Sequence, residues 1–114
     1  MPNKPRTLDE CMTALTEVLS PEDQVDFLKA SANDLIMYHH DLGRWIRNNW
    51  GLWEPDAEKS PLLKHMKELG FIHPDDMSQA IITEFWNRMN NQPSELEKDI
   101  EKSVKYWKEI KNGS

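Results

Sequence analysis

The chain has 114 residues, 30% of them charged, with a mean hydropathy of -0.78 and a formal net charge of -6. Its 20 acidic and 14 basic side chains are interspersed, so no basic stripe exists to neutralise a phosphate backbone, and nucleic-acid binding is disfavoured. One cysteine, Cys11, excludes an internal disulfide and fits a reducing, cytoplasmic compartment; no apolar run reaches membrane-spanning length.

Residues 1 to 6 contain no apolar stretch and read as a flexible N-terminus. Thr7-Leu8-Asp9-Glu10 has the form of a capping box and predicts a first helix from about Leu8 to Leu19, with Cys11 among its apolar positions and therefore a buried thiol. Ser20-Pro21-Glu22-Asp23 supplies a cap, a proline at the first helical position and acids at the positive end of the dipole. A second helix should follow at once, carrying Val25, Phe27 and Leu28 to about Ala30. Ser31 to Asp34 offers another cap, for a third helix over about Asn33 to Asn49.

Trp50 to Lys59 reads as an irregular loop whose Trp50, Leu52 and Trp53 bring it back onto the domain. Ser60-Pro61 opens a fourth helix, Leu62 to Leu69, which Gly70 ends. Phe71 to His73 should be extended before Pro74, because a residue preceding proline is steered away from helical angles. A broadly apolar fifth helix then runs to about Asn90 and should be the most buried. The last helix, about Ser94 to Lys111, aligns Leu96, Ile100, Val104, Trp107 and Ile110, and residues 112 to 114 read as a frayed tail. No strand alternation or repeat appears. The expected fold is all-α: one compact domain over residues 7 to 111, five to six helices in an irregular or orthogonal bundle.

His39 to Trp53 holds three Trp, two Arg, two His and two Gly in fifteen positions, a density found nowhere else in the chain. At about 100° per residue, Leu35, Tyr38, Leu42, Trp45 and Ile46 form the expected core arc of the third helix. His39, Gly43 and Arg47 follow one another along its edge. A glycine inside a helix costs about 1 kcal/mol relative to alanine, and either close packing of another helix or a small anion-binding concavity between His39 and Arg47 offsets it. Asn48 is placed to bond freed carbonyls at the helix end, and Gly51 to take left-handed angles. Trp50 and Trp53 are either core or an exposed aromatic anchor.

A second cluster, His73-Pro74-Asp75-Asp76-Met77-Ser78, follows about twenty residues later. Its two aspartates suit a helix N-terminus, where the dipole stabilises each by about 0.3 to 1 kcal/mol. A functional reading has Asp75 or Asp76 orient His73 or His39, or pair with Arg47. Ser78 lacks a nucleophile-elbow context. Adjacent His39 and His40 diverge around their helix, and no metal-ligating or nucleotide motif is present, so neither metal nor cofactor is expected.

With His39, Leu42, Gly43, Ile46, Arg47, Asn48, Gly51, Leu52 and Trp53 upstream, and His73, Pro74, Asp75, Asp76 and Ser78 downstream, the chain resembles a family of small uncharacterised domains encoded by bacteria and their phages. The likeness spans about residues 5 to 90 and leaves the helix from about 94 outside. It implies that these residues form one motif system, and by analogy favours a protein-binding or regulatory module, host-directed where the gene is phage-borne. The expected binding residues are His39, Gly43, Arg47, Asn48, Trp50, Trp53, His73, Asp75 and Asp76. The other reading builds a small-ligand or hydrolytic site from His39, Arg47, His73 and Asp75 or Asp76; a third makes the last helix a homodimer interface. No membrane partner is expected.

Overall fold

A computed structural model describes residues 4–31 and 33–113, with side chains at all of these except Ile36 and 110–113. Among the described residues six helices follow in order: α1 Leu8–Val18, α2 Pro21–Lys29, α3 Leu35–Asn49, α4 Pro61–Leu69, α5 Pro74–Met89 and α6 Leu96–Gly113, with a short 3₁₀ turn at Ala57–Lys59. The protein is an all-α single domain. Among the described residues no helix is long and apolar enough to cross a membrane.

Sequence signals place most helix starts. Thr7 accepts from the Glu10 amide at 3.2 Å, Ser20 from the Asp23 amide at 3.1 Å and Ser60 from the Leu63 amide at 3.3 Å, each satisfying one orphan donor of a first turn. Ser31 and Asp34 cap each other instead of the helix: each backbone N–H donates to the other's side-chain oxygen, at 3.1 and 3.2 Å. Pro5 is already buried ahead of α1, and Arg6 pairs with Glu10 at 3.5 Å. Residues 1 to 3, Ala32 and Ser114 lie outside the described residues.

α5 is the hub. It packs along α3 and also touches α1, α2 and α6, and it buries Met77, Ala80, Ile81, Ile82 and Phe85. Each of these side chains other than Ala80 contributes about 1.5 to 3 kcal/mol on full burial. Phe27 of α2 sits edge-on to Tyr38 at 4.9 Å and tilted on Phe85 at 5.4 Å, and Trp86 ties the same region together by donating from Nε1 to the Ala30 carbonyl at 2.9 Å. Val25 and Leu28 of the same helix are exposed.

The buried stripe of α3 is rotated from the expected one. Leu35 and Ile46 are buried and Tyr38 and Leu42 partly so, but Trp45 is 37% exposed, while Gly43 is buried against α5. The missing side chain at Gly43 lets α5 approach, and this turns the helix so that the line through His39, Gly43 and Arg47 faces inward. Trp45 is left at the rim, edge-on to the buried Trp50 at 5.7 Å.

α6 lies across α5 and the end of α4. Gly70, at φ 121°, is so close to it that a Cβ there would stand 2.8 Å from Ile100. Leu96 and Ile100 pack on the core, whereas Val104 is 37% exposed and the buried position on this face is Ser103. The Ile110 side chain lies outside the described residues.

Candidate functional site

α3 and α5 bring the two clusters into one neighbourhood. Arg47 extends from the last turn of α3 to the first turn of α5, where its Nε stands 3.3 Å from Asp75 Oδ1 and its Nη1 donates to Ser78 Oγ at 2.8 Å. Ser78 is buried and its hydroxyl donates to the Asp75 carbonyl at 3.0 Å. A Cβ on Gly43 would meet Arg47 Nη1 at 3.1 Å and Ser78 Oγ at 3.4 Å. The bare backbone is therefore the surface against which the guanidinium lies, and Gly43 serves the close packing of α5 on α3, with the Arg47 side chain beside it.

His73 is the N-cap of α5 and accepts the Asp75 backbone N–H at Nδ1, 3.1 Å away. The same nitrogen lies 3.7 Å from Asp75 Oδ2, but while it accepts that N–H it carries no proton and forms no ion pair there. The ring stacks on Trp107 at 4.8 Å with planes 8° apart, and Trp53 meets it edge-on at 5.7 Å. Tyr106 extends the row, edge-on to Trp107 at 5.1 Å. Asp76 points away from Arg47: its Oδ2 accepts from Ser103 Oγ at 2.8 Å and from Trp107 Nε1 at 2.7 Å, tying α6 to the start of α5.

Arg47, His73, Asp75 and Trp53 thus surround one corner of the molecule, with Asp76 behind them as a strut to α6. His39 is only beside this group. Its Nε2 is buried without a hydrogen-bond partner, and burial, reinforced by His40 and then Arg47, holds its pKa below the ordinary histidine value. Asn48 is exposed, and the expected bond to a freed carbonyl is made by its neighbour, Asn49 Nδ2 donating to the Trp45 carbonyl at 2.8 Å. Gly51 does take left-handed angles, φ 77°, and Leu52 closes the turn by donating to the Arg47 carbonyl at 3.2 Å. The two tryptophans divide the roles considered for them: Trp50 is 5% exposed and part of the core, while Trp53 is 52% exposed.

The bonds around Arg47 are structural chemistry. Among the described residues neither His39 nor His73 bonds to Ser78, so no base is aligned on that hydroxyl, while Arg47 donates to Ser78 and pairs with Asp75. Sequence reasoning missed Ser103 and the aromatic continuation through Trp107. The available signal was their i, i+4 spacing on α6, where a small polar residue interrupts an apolar stripe one turn from a tryptophan.

No curated protein and no solved structure matches this chain. The family model described as domain of unknown function DUF6794 matches residues 4–89, a span that contains α1 to α5 and both clusters and stops before α6. The chain belongs to that family.

Proposed function

We propose that the protein is a small protein-binding, regulatory module whose contact surface is centred on Trp53. The carrying observation is the half-exposed Trp53 ring, set on a base of His73 and Trp107 that hydrogen bonds hold in place. A rigid aromatic presented this way loses little conformational freedom on binding and brings a large apolar area, which is why tryptophan dominates interface energetics. The Arg47 contacts to Asp75 and Ser78 fix the α3–α5 corner beneath it. The buried Cys11 thiol, with its pKa pushed up by burial and by Glu10, is suited to a reducing cytoplasm, and the likeness to phage-borne domains favours a host protein as partner.

The test is capture of a partner from host lysate, followed by titration of the purified partner calorimetrically against wild type and Trp53→Ala. The expected result is at least a tenfold loss of affinity with a Tm within a few degrees of wild type. Equal affinity in the two proteins would move the contact surface elsewhere.

A further inference from the structure

We propose that the cleft between α1, α2 and α3, away from the Trp53 corner, is a docking groove for a basic amphipathic helix of a partner protein. The cleft has a volume of about 860 Å³. Leu19, Tyr38, Leu42 and Trp45 line it, and Val18 and Met37 stand at its lips, 42% and 70% exposed. Its α3 wall runs from Asp34 to Trp45, a length of roughly 16 Å at 1.5 Å per residue. That is three helical turns, so the opening is an elongated trough that suits a helix laying down anchors at i, i+4 and i+7. A flexible methionine at the lip can adapt to the anchor it meets.

Charge selects the occupant. Asp23, Asp26, Asp34 and Asp41 border the trough and, among the described residues, Lys29 is the single basic one lining it: four negative charges against one positive leave an excess of three. Asp34 is held in its charged form by the Ser31 amide and hydroxyl, and Tyr38 has its pKa raised by burial and by Asp26, Asp23 and Asp34, the mark of a negative field inside the trough. An apolar floor with acidic walls recruits a helix whose large apolar side chains are flanked by lysine or arginine. The same walls repel anionic lipid headgroups and disfavour a second copy of a chain whose own net charge is -6.

Two synthetic helical peptides with identical leucine positions, one carrying lysine and the other glutamate elsewhere, test the proposal against the full chain. The lysine peptide should bind at least tenfold more tightly, shift backbone amides of α2 and α3 around the trough, and lose most of that preference between about 0.05 and 0.5 M salt, where charge screening is strong. Asp26→Asn combined with Asp41→Asn should reduce the preference severalfold. Met37→Lys, a change at an exposed lip, should abolish binding without unfolding the protein, and Trp53→Ala should bind the peptide as wild type does. Equal binding of both peptides, no binding of the lysine peptide, or amide shifts confined to the Trp53 corner would overturn the proposal. So would a free protein that sediments as a dimer which Met37→Lys dissociates, since that assigns the trough to self-association.

Discussion

Gly43 leaves room for a guanidinium to lie along its own helix, and Gly43→Ala weighs that room against helix propensity. Alanine gains about 1 kcal/mol of helix propensity, but its Cβ crowds the Arg47 Nη1 that bonds Ser78, a charge-assisted bond whose loss costs about 1.5 to 3 kcal/mol. Chemical denaturation should therefore find the variant less stable by about 1 kcal/mol, and a stabilised variant would show that Arg47 moves aside freely. The Arg47–Asp75 pair adds little, because Asp75 is 61% exposed and solvent screens it. His39 sets a pH dependence. Unfolded, it takes up a proton near the ordinary value of 6.5; folded, its buried and unpartnered Nε2 resists until lower pH. In that window the unfolded state binds more protons, so stability holds above pH 6.5 and falls as the pH drops through it, and His39→Gln should flatten the slope of Tm against pH. Asp99 acts in the opposite sense: burial first, then Glu95 and Glu84 against the relief of Lys102, raise its pKa from 3.8 to about 6. The folded state then holds the extra proton between those values, so this group penalises the fold above pH 6 and ceases to as the pH falls. Asp99→Asn should raise Tm at pH 7.5 and make no difference below pH 3.8.

Among the elements, α6 has the most to explain, because the family match ends before it while the fold depends on it. It supplies both partners of the Asp76 carboxylate, the ring stacked on His73 and the side chain against Gly70. A chain ending at Pro93 leaves Asp76 unpaired and uncovers Phe71 and Ala80, and should melt at least 5 °C lower, by the usual conversion of 1 kcal/mol into about 4 to 8 °C. Trp107→Phe, which keeps the stacking and removes the N–H, should cost about 1 to 2 kcal/mol by equilibrium unfolding. The limits of α1, α2, α4 and α5 were legible because Ser, Thr, Pro and Gly at their ends act locally. The facing of α3 was not, because a periodic pattern assigns the bulky side to the core and cannot register that Gly43 admits α5 on the other side. Asn48 and Asn49 show the same limit, since which of two adjacent amides reaches a carbonyl depends on the exit angle set by Gly51. That exit is itself exacting: a Cβ on Gly51 would come 2.9 Å from Ser60 Oγ at φ 77°, so Gly51→Ala should destabilise by about 1 to 3 kcal/mol.

On the scale of the whole molecule, the two stretches of unusual composition, residues 39 to 53 and 73 to 78, do meet in space, through Arg47, Asp75 and Ser78. The acidic trough was hidden because its aspartates come from two helices and the turn between them, and look like ordinary solvated charge until α2 and α3 are set side by side. Chain-wide charge counts average away such local fields. Cys11 also changes meaning at this scale. It lies at 0% exposure on α1, and α1 is joined to α5 at the surface by Arg88 and Asp9 at 2.8 Å. A thiol reagent can reach that sulfur only when α1 lifts away, so the speed of its modification becomes a clock for the opening of the domain, needing no added probe. Under conditions where reclosing outpaces labelling, Arg88→Ala should quicken that clock in proportion to the stability it removes, whereas Trp53→Ala should leave its rate as it was.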